Sequence, residues 1–190
     1  MNQIGDNEAL ITCLSALGQV IEKLDNRGVV IGGIAVSLLA RPRTTLDVDA
    51  IILLRTEDVP RLLDIASRYG FKPRISDPVD FAVRSHVLLL CHEPSGISVD
   101  ISLGMLPFEE EVVSRSTLYH GEHFSIPLAS PEDLIILKAL AHRPQDLLDI
   151  CTIVETNPNL DRGYIESRVR EFGQSLDMPG LWEDIGKCFE

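Results

Sequence analysis

Between Val29 and Leu54 the chain reads VVIGGIAVSLLARPRTTLDVDAIILL, and this order leaves few folds open. A short apolar run, Val29 to Ile31, ends in the pair Gly32-Gly33. A second apolar run, Ile34 to Ala40, has the length of a helix packed against a sheet. Arg41 to Thr45 is then loop, because Pro42 disfavours helical geometry at Arg41. The third run, Leu46 to Leu54, carries Asp47 and Asp49 at its start. Side chains alternate faces along a strand, so these two carboxylates point the same way. Two like charges on one strand face raise each other's pKa. The apolar neighbours Leu46, Val48, Ala50 and Ile51 make that face costly without compensation. A hard divalent cation, Mg²⁺ above all, relieves it through oxygen ligands. A third carboxylate, Asp100, stands in its own apolar frame, Ile97-Ser98-Val99-Asp100-Ile101.

The rest of the pattern predicts an α/β (α+β) protein. Leu10, Ile11, Leu14, Leu17, Val20 and Ile21 recur near a 3.6-residue period and predict an amphipathic helix over 8–23. A further helix is expected over 57–69, stopped by Gly70. Strands are expected at 81–83, 87–91 and 97–103, with turns between them, giving a small mixed β-sheet flanked by helices. From Ser130 the texture turns helical. Ser130-Pro131-Glu132-Asp133 offers an N-cap, a proline at N1 and an acid at N3. Pro144 opens a second helix ended by Asn157-Pro158, Asp161 caps a third, and a last one follows Pro179. We read 1–128 as the α/β domain and 129–190 as a C-terminal helical subdomain.

Composition excludes several classes. The apolar fraction of 45% supports a real core, and no apolar stretch is long enough to span a bilayer. The polar N-terminus, MNQIGDNEAL, lacks the basic region of a signal peptide. Cys13, Cys91, Cys151 and Cys188 show neither CxxC nor Cys/His pairing, so they read as thiols in a reducing compartment, and the protein as cytoplasmic with no membrane partner. A net charge of −12 argues against gripping a long nucleic-acid duplex, which needs many Lys and Arg contacts to phosphate. The five histidines lack zinc spacing; His120 and His123 flank Gly121 in an expected hairpin turn. Glu109-Glu110-Glu111 reads as a solvated helix start.

Taken alone, Gly32-Gly33 is either a tight strand-to-helix turn or a place where a phosphate approaches backbone N–H groups at a helix N-terminus. Taken with Asp47, Asp49 and Asp100, it suits nucleotidyl transfer, in which a hydroxyl attacks the α-phosphorus of an NTP and pyrophosphate leaves. Two metal ions roughly 4 Å apart stabilise both the entering and the leaving oxygen in such displacements. Asp47 and Asp49 are placed to hold both Mg²⁺ ions. Asp100 would complete the site of the ion that activates the acceptor hydroxyl, and take its proton.

On these residues the chain resembles the polymerase-β-like nucleotidyltransferase superfamily, and within it the AbiEii toxins and related small bacterial nucleotidyltransferases. Gly32-Gly33, Asp47, Asp49 and Asp100 match the superfamily pattern. The block GGIAVSLLARPRTTLDVDAII resembles the longer family form, with Arg and Thr just before the acidic pair, so Arg43, Thr44 and Thr45 join the expected nucleotide-binding set with Gly32 and Gly33. Leu106-Pro107-Phe108-Glu109 and the later SPEDLIILKALAHRPQDLLDI add to the likeness, which runs from about Val29 to Ile150. Gly33 stands where many members have Ser, so phosphate contact there falls to the backbone unless Ser37, Thr44 or Thr45 helps.

The resemblance also implies nucleotide-binding roles for Lys138, Arg143 and Asp146, and an antitoxin as partner if the chain is the toxin of a toxin–antitoxin pair. From the residues alone, Lys138 is either a snorkelling surface lysine or a point charge for phosphates, and Asp146 is either a ligand of the site or a helix-start acid favoured by the dipole. Charge balance against a triphosphate and three Asp predicts a basic wall from Lys138, Arg143 and Arg43. The expected activity is Mg²⁺-dependent transfer of NMP from an NTP to a hydroxyl on an RNA end, a protein or a small molecule such as an aminoglycoside. The alternative is a non-catalytic nucleotide- or partner-binding protein that retains the fold; three intact acids weigh against it.

Overall fold

The computed structural model describes residues 8–42 and 47–190. The chain divides into two compact units, one holding residues 1–34 and 43–129, the other 35–42 and 130–190. Their elements follow in chain order as α1 (Glu8–Glu22), β1 (Gly28–Ile31), α2 (Gly32–Leu39), β2 (Asp47–Ile52), α3 (Val59–Ser67), β3 (Phe71–Pro73), α4 (Pro78–Ser85), β4 (Val87–His92), β5 (Ile97–Leu103), α5 (Pro107–Ser114), β6 (Thr117–His120), β7 (Ser125–Leu128), α6 (Pro131–Ala141), α7 (Pro144–Thr156), α8 (Arg162–Ser175) and α9 (Leu181–Gly186).

The first unit is built on a seven-stranded mixed sheet in the order β3-β4-β5-β2-β1-β7-β6. β2 runs antiparallel to β1 and parallel to β5, and β5 runs antiparallel to β4. Period-two patterning gives this sheet two unlike faces. Val48, Ala50 and Ile52 of β2, Val99, Ile101 and Leu103 of β5, and Leu88 and Leu90 of β4 are all buried on one face. Of the alternate positions, Asp49, Ser98, Asp100, Ser102, Leu89 and Cys91 are half-buried, and Ile51 is buried. The polar residues of β2 and β5 therefore fall on the same side.

α1 buries Leu10, Leu14, Leu17, Val20 and Ile21 of the predicted stripe, with Cys13 and Ala16 beside them and Ile11 half-buried, and packs on β7, β5 and α3. Burial of Cys13 pushes its thiol up to about 12, so it stays protonated and inert. Gly70 ends the α3 segment in the left-handed region at φ 82°, the geometry expected of a glycine stop.

The stretch 81–83, expected as strand, lies instead within α4. Asp77-Pro78 starts that helix with a proline at its first turn, Asp80 follows at its acidic end, and only Ala82 is buried. The turn signal outweighed three apolar residues too few to establish a period.

The second unit is helical. Ser130 caps α6, its hydroxyl accepting from the Asp133 N–H at 3.1 Å and donating to the Asp133 carboxylate at 2.7 Å. The hydroxyl of Tyr164 on α8 donates to the other Asp133 oxygen at 3.0 Å. A fully buried carboxylate is thus supplied with donors from two helices. Asp161 caps α8 through Tyr164 N–H at 2.9 Å, as the sequence predicts.

Cys151 on α7 and Cys188 after α9 form a disulfide across 37 residues. This corrects the expectation of four thiols; helix packing brings the two cysteines together, and no local spacing signals it. Cys13 and Cys91 are free. Closing a loop of that length restricts the unfolded chain by about 4 kcal/mol in the loop-entropy account. Cys188→Ser is therefore expected to lower stability by up to about that amount. Denaturant titrations with and without reductant check it: reductant should weaken the parent chain and leave the variant unchanged.

Candidate active site

The acid-bearing face is assembled by register. β2 and β5 run parallel with Asp49 opposite Asp100 and Asp47 opposite Ser98, and on the other side Asp49 is opposite Ile31, the last residue of β1. Asp47, Asp49 and Asp100 therefore share one face, with Asp49 and Asp100 side by side on neighbouring strands. Asp47, at the start of its strand, is exposed, while Asp49 and Asp100 are half-buried.

Gly32 follows directly on Ile31 and explains why the chain has no side chain there. Its φ is 68°, and a Cβ would stand 2.7 Å from Asp49 Cγ and closer still to Oδ2. Backbone and carboxylate touch, and only glycine permits both that φ and that approach. Gly32→Ala is expected to cost about 1–3 kcal/mol in strain and to push the Asp49 carboxylate from its place. The check is a paired measurement of melting temperature and divalent-ion binding, with binding lost beyond what the stability change accounts for. Gly33 is buried at the first turn of α2.

Arg74 is the residue that sequence reasoning missed. It follows β3, and its N–H donates to the Leu89 carbonyl at 3.0 Å. Leu89 is opposite Asp100, so Arg74, Leu89, Asp100 and Asp49 lie in one row across the sheet. The Arg74 side chain crosses the intervening strand and its guanidinium pairs with Asp100 Oδ1. No sequence signal links two residues 26 apart whose strands are not neighbours.

The residues fit a hard cation in the chemistry of the donor set, three carboxylates on one face, with the Asp49 carboxylate seated against the bare Cα of Gly32. Among the described residues, however, no group of three or more His, Cys, Asp or Glu side chains converges into a cation cage. Successive same-face positions on a strand stand about 6.7 Å apart, and Asp100 is turned to Arg74. Arg43, Thr44 and Thr45, expected beside the nucleotide, lie outside the described residues.

Lys138, Arg143 and Asp146 are brought together in the second unit. Lys138 is 5% exposed, so it is not a snorkelling surface lysine. Its Nζ lies 2.6 Å from Asp149 Oδ2 and 3.2 Å from Asp146 Oδ1. Arg143 Nε donates to Asp146 Oδ2 at 2.7 Å and the Arg143 N–H to the same oxygen at 3.2 Å. Asp146 thus caps α7 and binds two cations at once. Burial pushes its carboxyl up, but the hydrogen bonds from Arg143 and Lys138 and the Lys138 charge outweigh that, and the carboxyl sits below the usual range. Gln145 donates to Asp149 at 3.1 Å. The lysine charge expected to face phosphates is committed to two carboxylates.

His120 and His123 are exposed, as expected of the β6–β7 turn. His92, by contrast, is buried with Nδ1 2.7 Å from Ser95 Oγ, and burial lowers its pKa against the opposing backbone hydrogen bond at Tyr69. Glu109 does more than face solvent: it accepts from the N–H groups of Met105 and Leu106 at 2.8 and 2.9 Å, capping α5.

The family model for the nucleotidyl transferase AbiEii toxin of type IV toxin–antitoxin systems matches residues 15–182. No curated protein matches the sequence. Among solved structures, the fold is similar to an antigenic nucleotidyltransferase-like protein from Paracoccidioides brasiliensis (TM-score 0.57, 19% identity, 94% of this chain and 93% of that one). It is also similar to the antibiotic-resistance factor ANT(2'')-Ia (TM-score 0.57, 13% identity, 87% and 94%).

Proposed function

The chain belongs to the AbiEii nucleotidyltransferase family, and from that premise we propose that it moves NMP from an NTP to an acceptor hydroxyl with Asp47, Asp49 and Asp100 as its catalytic acids. The observation that carries this reading is the Asp49–Asp100 register beside a glycine whose missing Cβ lets the Asp49 carboxylate sit against the backbone. Mg²⁺, with two ions per site, is the cofactor this donor set suits. Bound, it would neutralise phosphate oxygens and lower the pKa of the acceptor hydroxyl.

In this proposal Asp47 and Asp49 bind the cations and orient the α-phosphate. Asp100 would complete the site of the ion beside the attacking hydroxyl and take that hydroxyl's proton. The N–H groups at Gly32 and Gly33 hold phosphate oxygens at the start of α2, and Arg43, Thr44 and Thr45 complete the nucleotide contacts. Arg143, anchored through Asp146 to Lys138 and with a side chain 74% exposed, remains a nucleotide-binding candidate of the second unit. NTP supply alone supports a cytoplasmic site of action, since the Cys151–Cys188 bond removes the support drawn from free thiols. As the toxin of a pair the protein would be held in check by an antitoxin. Among the described residues no helix is long and apolar enough to cross a membrane.

Incubation with each labelled NTP, Mg²⁺ and a panel of RNA ends, proteins and aminoglycosides tests the reading. Label transferred to one acceptor class, and lost with Asp49→Asn, supports it. NTP binding unaffected by Mg²⁺ and by Asp49→Asn would instead identify a binding protein that retains the fold.

A further inference from the structure

The Arg74–Asp100 pair has a place in the proposed chemistry that the acids alone do not suggest. It reaches the third acid from two strands away, along the row that also holds Asp49. The Arg74 side chain is 33% exposed and that of Asp100 is 38% exposed, so the pair stands at the open face of the sheet and not in its core. A structural salt bridge at the core would be dry. This one lies where a solute can compete for the carboxylate.

The pair uses Asp100 Oδ1, and a guanidinium and a divalent cation cannot share one carboxylate oxygen at close range without strong repulsion. A cation that takes Oδ1 of Asp100 therefore turns Arg74 away. A displaced guanidinium next to this row needs another anion, and the triphosphate that accompanies the cation provides one suited to its fork of donors.

We propose that Arg74 is an exchanging counter-ion: it holds Asp100 while the site lacks cation and nucleotide, and passes to the nucleotide phosphates when a divalent cation takes Asp100. This rests on the nucleotidyltransferase reading above and adds a positioning residue to it. The exchange lowers the affinity of the third acid for bare cations and couples its loading to arrival of the nucleotide. The apparent affinity of a site is reduced by the fraction of time it is competent.

The test is a Mn²⁺ titration of the full chain, free of nucleotide, followed by electron paramagnetic resonance, beside calorimetry with a non-hydrolysable ATP analogue in excess Mg²⁺. Arg74→Gln is expected to tighten the weaker Mn²⁺ site about tenfold, the factor for a pair closed about nine-tenths of the time, and to weaken the analogue several-fold. Arg74→Lys should keep much of both behaviours. The opposite signs matter, because a merely structural salt bridge would weaken both when removed. Mn²⁺ binding that is unchanged or weaker in Arg74→Gln overturns the proposal. If the parent chain binds one Mn²⁺ that Asp49→Asn removes, the catalytic reading survives that loss. If neither the parent nor Arg74→Gln binds Mn²⁺, both readings fall together.

Discussion

Asp49→Asn is expected to reduce nucleotidyl transfer by at least about 10³-fold while leaving the fold intact. The size follows from the role: cations that stabilise transition-state charge contribute several kcal/mol, and about 4 kcal/mol corresponds to 10³ in rate. The amide matches the carboxylate in shape, so it keeps the fit against Gly32 and removes only the charge. The melting temperature should change little, because the amide keeps the shape of the carboxylate. Transfer of labelled NMP and a thermal melt on the same preparation separate the two effects. Asp47→Asn should give a loss of the same order with no stability change, since that side chain is exposed. Transfer at the parent rate in Asp49→Asn would remove the sheet face from the mechanism.

The strands that carry these acids are legible because each is short and sets its acids in an apolar run, strictly alternating in β5. The 97–103 strand stands where the pattern put it, and β2 differs from expectation only at its ends. Strand β3 was not legible, since Phe71-Lys72-Pro73 has neither alternation nor length, and its pairing comes from β4. The α4 segment was misread for the converse reason. Phe81-Ala82-Val83 is locally strand-like, while the Asp77-Pro78 start that governs it lies upstream.

At the site, the sequence places Asp47 and Asp49 on one face by period alone. That Asp100 lies beside Asp49, not elsewhere on the sheet, depends on a parallel pairing that no local pattern encodes. Arg74 illustrates the limit most sharply, because its partner is set by strand order. The Gly32 contact was half legible: a Gly-Gly after a strand signals a turn, but only the structure shows that the space it leaves belongs to Asp49.

Lys138→Met is expected to destabilise the helical unit by about 3–5 kcal/mol, the range for breaking a buried ion pair from one side. The ammonium is enclosed by Asp146 and Asp149, both nearly inaccessible, and its loss leaves two buried carboxylates sharing the donors of Arg143 and Gln145. Because Asp146 titrates below its unfolded value in the native state, its contribution is present above the unfolded pKa and lost as the pH falls through the folded one. For the parent chain that window lies below about pH 4. Lys138→Met removes one of the causes that hold the carboxyl down, so its stability should depend less steeply on acid in that window. A triple replacement, Lys138→Met with Asp146→Asn and Asp149→Asn, should recover much of the loss, since neutralising a whole buried cluster costs far less than orphaning part of it. Urea titrations at pH 7 and pH 3.5 check all three statements. If the single variant is as stable as the parent, solvent already reaches these carboxylates, and Lys138 does not anchor the residue that presents Arg143.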